Sequence, residues 1–215
     1  MGKLNMGILG GFSGTVGTVI GSSNKKGDDI IRAKTKKARS VNSAEQVKQQ
    51  TKFGVVTGFM QGVNSVLKTG LKYTADAENM SPFNYACRHA LANAITGTDD
   101  QPAIDYSKIM LSSGVLSRIP GATAQLNANA IRFNWSDAVD TFKGELNDKV
   151  CLVVYNVSNG ELSFSADTLR SAKTASVPLP FYNTGDTLLF YLFFQSGTDT
   201  LQVSTSQYLG STEME

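Results

Sequence analysis

Few side chains in this sequence are of the types that perform covalent or metal chemistry. The chain contains two cysteines, Cys87 and Cys151, and a single histidine, His89. One histidine excludes a site with several histidine ligands, and two cysteines exclude a Cys₄ zinc site. Cys87 and His89 are two positions apart, and such positions point in different directions on a helix, so they form no nucleophile–base pair. We therefore expect no catalytic residue, no metal site, no cofactor and no enzyme activity, and we expect both thiols to be reduced and buried.

A group of acidic residues is the other candidate for ligand chemistry. It consists of Asp137, Asp140, Glu145 and Asp148. Oxygen-rich loops can bind calcium, but this spacing does not match that of an EF-hand. A solvated loop between two strands is the better interpretation.

Basic residues are concentrated near the N-terminus. Residues 1–52 carry ten basic and three acidic side chains, whereas residues 53–215 carry ten and fifteen. Most of the excess lies in a stretch without a clear apolar period, which predicts an extended basic arm. Its residues are Lys25, Lys26, Arg32, Lys34, Lys36, Lys37 and Arg39. Such a stretch can contact nucleic acid non-specifically through phosphates, but it lacks the interleaved aromatic residues that stack on single-stranded bases.

Glycine alternates with apolar residues over the first 21 positions. The spacing matches neither a dinucleotide-binding fingerprint nor a P-loop. Glycine lets backbones approach closely, as in a hairpin or in an arm that packs on another subunit, and ordering such an arm requires burial against a partner. We call residues 1–41 the N-terminal arm and expect it to make the assembly interface. The apolar residues expected to be buried there are Ile8, Leu9, Phe12, Val16 and Ile20.

Residues 42–100 are predicted to be helical. The segment 42–46 offers overlapping capping boxes, and the apolar residues between Phe53 and Leu67 recur at steps of three and four. Three glycines spaced by four in this helix indicate close contact with another helix: Gly54, Gly58 and Gly62. Ser81 and Pro82 are typical of the start of a second helix, which is expected to end before residue 97.

In residues 101–215 the apolar residues recur with a period of two, which is typical of strands. The predicted strands are 106–111, 123–126, 130–135, 150–155, 162–164, 175–179, 187–194 and 201–208. Seven or eight short strands with turn residues between them predict an immunoglobulin-like or fibronectin-like antiparallel β-sandwich, with Trp135 and Tyr155 in its core. The whole chain is thus expected to be an α+β protein.

Nothing in the sequence predicts insertion into a membrane. No apolar run approaches the roughly 18 residues that a membrane-spanning helix needs. The N-terminal residues do not form the continuous apolar region of a secretory signal. We therefore expect the chain to stay on the cytoplasmic side of synthesis.

Six stretches carry a resemblance to a known family: 6–21 (MGILGGFSGTVGTVIG), 31–34 (IRAK), 45–53 (EQVKQQTKF), 94–97 (AITG), 104–108 (IDYSK) and 152–156 (LVVYN). Together they resemble a family of uncharacterised proteins from Bacteroidota bacteria and their phages. The order of parts is also similar to that of small virion proteins of tailed phages. The resemblance supplies no catalytic residues.

Two functions of different class follow from these features. The first is a non-enzymatic structural component of a tailed-phage virion, in a neck, collar or tail ring or on the capsid, which forms homo-oligomers and contacts other virion proteins. The alternative is a bacterial binding module anchored to a larger assembly, whose loops 137–148 and 196–199 recognise a glycan or a protein. A sandwich fold hosts many functions and does not decide between them.

Overall fold

The computed structural model describes residues 3–4, 11–23, 28–35, 41–99, 101–136 and 143–215. The chain divides into two compact units, Met1–Ser43 and Ala44–Glu215. The expected α+β class is confirmed, since helices occur with antiparallel sheets. The helices and the C-terminal strands fall in one unit because they share a hydrophobic core.

The first unit contains a small antiparallel sheet, which we call the N-terminal sheet. Its strands, paired in chain order, are β1 (Lys3–Leu4), β2 (Phe12–Val16), β3 (Val19–Ser23) and β4 (Asp29–Ala33). Gly17 has a φ of +57° in the turn between β2 and β3, a conformation that side chains disfavour. Part of the basic stretch that was predicted to be an extended arm, Asp29–Ala33, is extended as strand β4 of this sheet. This segment pairs with β3 because backbone N–H and C=O groups find partners within the chain.

Four helices open the second unit. They are α1 (Ala44–Gly62), α2 (Asn64–Gly70), α3 (Lys72–Ala77) and α4 (Pro82–Asn93). The predicted start of the second long helix is confirmed: the Asn84 backbone N–H donates to Ser81 Oγ at 3.2 Å, and Pro82 is the first helical residue. The predicted apolar stripe of α1 and α2 is buried except for Phe53. No helix within the described ranges is long and apolar enough to cross a membrane.

The three glycines of α1 do not share one role. A side chain at Gly54 or Gly58 would meet nothing within 4 Å, so the predicted close contact between helices is wrong for these two. Gly62 is closely approached, but by a strand residue: a Cβ there would lie 2.2 Å from the Tyr155 hydroxyl. Tyr155 is buried and packs edge to face on Phe59, with 5.2 Å between the ring centroids. The glycine therefore makes room for a ring that is held in place.

We expect Gly62→Ala and Gly58→Ala to change stability in opposite directions. The first substitution forces the Tyr155 ring out of its position, and overpacking of this kind costs about 1–3 kcal/mol. The second fills open space and raises helix propensity, which stabilises by up to about 1 kcal/mol. Urea unfolding followed by circular dichroism measures both changes. Destabilisation of equal size by the two substitutions would contradict this packing.

A two-stranded pair, β5 (Ile95–Gly97) and β6 (Pro102–Ile104), links the helices to two larger sheets. The strands of the larger sheets are β7 (Thr123–Asn127), β8 (Ala130–Asn134), β9 (Lys149–Asn156), β10 (Leu162–Leu169), β11 (Thr174–Pro178), β12 (Thr187–Gln195) and β13 (Gln207–Glu213). One sheet has the order β10-β9-β12-β13 and the other β11-β8-β7, all antiparallel.

Two of the predicted strands are wrong in whole or in part. Residues 106–111 begin with a 3₁₀ turn, Tyr106–Lys108, because the Asp105 carboxylate accepts a hydrogen bond from the Ser107 N–H and caps the turn. Residues 201–206 form a loop with isolated bridges, and β13 begins only at Gln207. The remaining predicted strands overlap β7 to β12, although the strand predicted at 162–164 covers only the start of β10.

The two central strands of the four-stranded sheet, β9 and β12, are buried on both faces. One face packs on the three-stranded sheet around Trp135 and Phe190, and the other packs on the helices around Tyr155 and Leu189. Both predicted core aromatics are therefore buried, but in different cores. Every residue of β9 after Lys149 is buried, so this strand has a continuous apolar run rather than a period of two.

Candidate functional site

The apolar residues predicted to make the assembly interface occupy different environments. Phe12 and Ile20 are half-buried, and Val16 is 54% exposed. Ile8 and Leu9 lie outside the described residues. The Phe12 ring covers Gly21, where a Cβ would lie 2.7 Å from the ring. Gly21 is the only buried residue among those whose burial is described in the first unit, so these residues form no core of large side chains.

The basic residues and two isoleucines meet on β4. Arg32 and Lys34 are exposed, in β4 and just after it. Ile30 and Ile31, which were not among the predicted interface residues, are 48% and 65% exposed. The two adjacent isoleucines lie between acidic and basic residues, and the prediction for this stretch used only its charge. The other predicted basic residues lie outside the described residues: Lys25, Lys26, Lys36, Lys37 and Arg39.

A cleft of about 390 Å³ lies in the second unit where three loops meet. We call it the loop cleft. It is lined by Val115, Leu116, Lys143, Gly144, Glu145, Asp148, Ser196, Thr198 and Gln202. The structure thus brings together parts of the two loops predicted to recognise a ligand, 143–148 and 196–199. Residues 137–142, with Asp137 and Asp140, lie outside the described part of the chain.

A second cavity, of about 300 Å³, shares Val115 and Gln202 with the loop cleft. Tyr73 and Leu201 line this second cavity, and the Tyr73 side chain is 60% exposed. Val115, at the border of the two cavities, is 65% exposed. The combined surface offers apolar contact beside carboxylate, amide and hydroxyl groups.

A buried ion pair joins the loops behind the loop cleft. Arg170 Nη2 lies 3.3 Å from Asp148 Oδ2 and donates to the Ser117 carbonyl at 3.0 Å. The guanidinium stacks on Phe194, 3.9 Å from the ring centre. The Arg170 carbonyl accepts a hydrogen bond from Trp135 Nε1 at 2.7 Å. The solvated position predicted for Asp148 is therefore wrong, because this carboxylate is the counterion of a buried arginine.

Arg170 retains unused hydrogen-bonding capacity. Its Nε and Nη1 atoms have no acceptor among the described residues. A Cβ on Gly144 would lie 2.9 Å from Nη1, so only a residue without a side chain fits between the guanidinium and the loop cleft. Burial lowers the pKa of Arg170, and the nearby Asp148 carboxylate opposes that shift. The ordinary pKa of arginine is high enough for the side chain to remain charged.

A family model described as a family of unknown function (DUF6266) matches residues 11–210. The chain belongs to this family. The matched region includes both the N-terminal sheet from β2 onward and the loop cleft. No curated protein and no solved structure is significantly similar to the chain.

The thiols of this DUF6266 chain are buried and free, as expected. Burial raises the pKa of Cys87 and raises that of Cys151 to about 12. His89 is half-buried, and burial together with the Arg88 charge lowers its pKa. In the described part of the chain, no group of three or more histidine, cysteine, aspartate or glutamate side chains is arranged to hold a metal ion.

We expect Cys151 to resist alkylation in the folded protein. At pH 8 a thiol with a pKa of about 12 is ionised to roughly one part in ten thousand, against roughly a quarter for a free thiol of pKa about 8.5. Iodoacetamide labelling of a Cys87→Ser variant, read by mass spectrometry with and without guanidinium chloride, isolates Cys151. Labelling at the same rate in both conditions would show that the core around β9 is open.

Proposed function

We propose that this protein is a non-enzymatic structural component of a tailed-phage virion, in a neck, collar or tail ring or on the capsid. In this proposal it is made in the cytoplasm of a bacterial host. It assembles with copies of itself and with other virion proteins through its N-terminal arm, residues 1–41, and its helices. The observation that carries the proposal is the contrast between the two units: the second has two cores of large side chains, and the first has none among its described residues.

Among its described residues, the N-terminal sheet lacks the buried hydrophobic face that a sheet of this size needs to be stable by itself. Small sheets require a hydrophobic face or a packing partner. Val16, Ile31 and Val41 are instead between 54% and 96% exposed in the first unit. Exposed apolar residues of this number in so short a segment support docking on another protein.

Apolar contact is expected to dominate that docking. Each large apolar side chain contributes about 1.5–3 kcal/mol when fully buried, whereas an exposed ion pair contributes about 0–1 kcal/mol. The exposed Arg32 and Lys34 then tune the rate and the salt dependence of assembly, and allow non-specific contact with nucleic acid.

We also propose that residues 101–215 form an immunoglobulin-like or fibronectin-like sandwich. Two antiparallel sheets, of three and four strands, pack around one core, which supports this assignment. The chain passes between the sheets from β8 to β9, from β10 to β11 and from β11 to β12. The helices on the outer face of the four-stranded sheet are an addition to such a sandwich.

Two triple variants of the full chain test the assembly mechanism. One replaces Leu9, Phe12 and Val16 by Ser, and the other replaces Lys34, Lys36 and Lys37 by Ser. We expect the first to raise the dissociation constant for self-association at least tenfold more than the second, measured by sedimentation equilibrium at physiological salt. The reverse order would show that the segment is an electrostatic tether. Absence of the protein from purified particles by mass spectrometry, together with a monomer at high concentration, would refute the virion role.

The loop cleft favours a second candidate, a binding module for glycans or proteins. This candidate is supported by the observation that residues of loops 143–148 and 196–199 line the same cavity. A glycan array probed with the full chain tests this function, with Tyr73→Ala and Gln202→Ala expected to lose any signal and Tyr182→Ala, outside both cavities, expected to keep it. A gene among portal, capsid and tail genes would argue against this candidate, and a gene in a polysaccharide locus would argue for it.

A further inference from the structure

One edge of strand β4 pairs with none of the described strands, and its hydrogen-bonding groups point outward. The Lys34 N–H donates to the Thr18 carbonyl at 2.7 Å, on the side of β3. Because N–H and C=O groups alternate in direction along an antiparallel strand, residues 29, 31 and 33 direct theirs away from β3. β4 is the last strand of the N-terminal sheet, and no other described strand pairs with this edge. An edge of this kind is a template for a further strand.

The side chains on this edge are apolar at its centre. Ile30 and Ile31 point to opposite faces of the sheet, and they are 48% and 65% exposed. Both faces of β4 therefore carry an isoleucine that the described residues of the first unit leave largely exposed. A strand added at this edge would bring its own side chains against both isoleucines.

The charges around the isoleucines are ordered by sign along the strand. Asp28 and Asp29 precede them, and Arg32 and Lys34 follow. Two copies of this segment placed in parallel would set acid beside acid and base beside base. Two antiparallel copies set acid beside base at both ends, and opposite charges directly across a pair of strands stabilise it.

We propose that β4 pairs antiparallel with β4 of a second copy of this chain, around a two-fold axis between the two Ile31 residues. Such an axis requires a residue to face its own equivalent, and Ile31 is the central residue whose N–H and C=O point outward. In this register Asp28 faces Lys34 of the second copy at both ends, and Ile30 faces Arg32. The proposal rests on the proposed assembly function and names its first contact, a homodimer with one continuous sheet.

Cysteine cross-linking of the full chain tests the register. In the proposed pair of strands, the two Ile31 residues face each other and exchange their backbone hydrogen bonds. The Cα atoms of such a pair are about 5.5 Å apart, within the range that a disulfide spans. The two Ile30 Cα atoms would be about 8 Å apart, beyond that range. We expect Ile31→Cys to form a covalent dimer under mild oxidation at least tenfold faster than Ile30→Cys, its matched control. The native Cys87 and Cys151 are buried in the folded chain, and both variants retain them unchanged.

A charge exchange provides an independent measurement. We expect Asp28→Lys and Lys34→Asp each to raise the dimer dissociation constant at least threefold in sedimentation equilibrium, and the two together to restore it. Equal cross-linking of Ile30→Cys and Ile31→Cys, or no restoration by the double exchange, in a chain that still associates would overturn the β4 pairing and leave the assembly function standing. A chain that remains monomeric at high concentration would overturn both.

Discussion

Arg170→Met is expected to lower the free energy of unfolding by about 3–5 kcal/mol, because it leaves the Asp148 carboxylate buried without a counterion. Both side chains are at most 1% exposed, so water does not replace the lost partner. The substitution also removes the hydrogen bond to the Ser117 carbonyl and the stacking on Phe194. Urea unfolding of the full chain measures the effect.

The matched control is Arg132→Met. Arg132 is exposed, and its Nε donates one hydrogen bond, to Thr174 Oγ1 at 3.3 Å. We expect this control to change stability by less than about 0.5 kcal/mol, as for most surface substitutions. The double variant Asp148→Asn with Arg170→Met is expected to be more stable than the sum of its single variants predicts, since it leaves no unpaired charge. A value for Arg170→Met as small as that for Arg132→Met would contradict the buried ion pair.

Leu189→Ala and Phe190→Ala are both expected to be strongly destabilising, although the two residues are adjacent on β12. Leu189 lies in the core between the four-stranded sheet and the helices, and Phe190 lies in the core between the two sheets. Removing a buried leucine costs about 2–5 kcal/mol and removing a buried phenylalanine about 3–5 kcal/mol. Thermal and urea unfolding of each single variant measure these losses.

Phe164→Ala is the control for this pair. Phe164 lies on β10 of the same sheet but is 38% exposed, so its truncation is expected to cost less than either core substitution. A sandwich with one solvated outer face would show one large and one small effect at positions 189 and 190. Such a result would mean that the helices do not cover the sheet.

Local sequence patterns predicted most of the secondary structure. The spacing of the apolar residues in α1 and the Ser81–Pro82 start of α4 are local signals, and both predictions are confirmed. The burial of both faces of β9 and β12 has no such signal, because it depends on helices that are distant in sequence. Tyr106 lies in an apolar run but follows a capping aspartate, and the cap determines the local structure.

The candidate sites were predictable only in part. Turn residues and polar composition identified loops 137–148 and 196–199, and the structure places described parts of both at the loop cleft. Arg170 was missed because its counterion, Asp148, is on another element and only the tertiary fold brings them together. Ile30 and Ile31 were missed because the charge of their surroundings hid a short strand.

Sedimentation equilibrium of the full chain beside the chain shortened to residues 44–215 tests the central claim most directly. The account predicts that the full chain self-associates, whereas the shortened chain is monomeric at the same concentrations and retains the helical circular dichroism and cooperative unfolding of its two cores. A shortened chain that associates as strongly as the full chain would contradict the assembly role of the N-terminal arm.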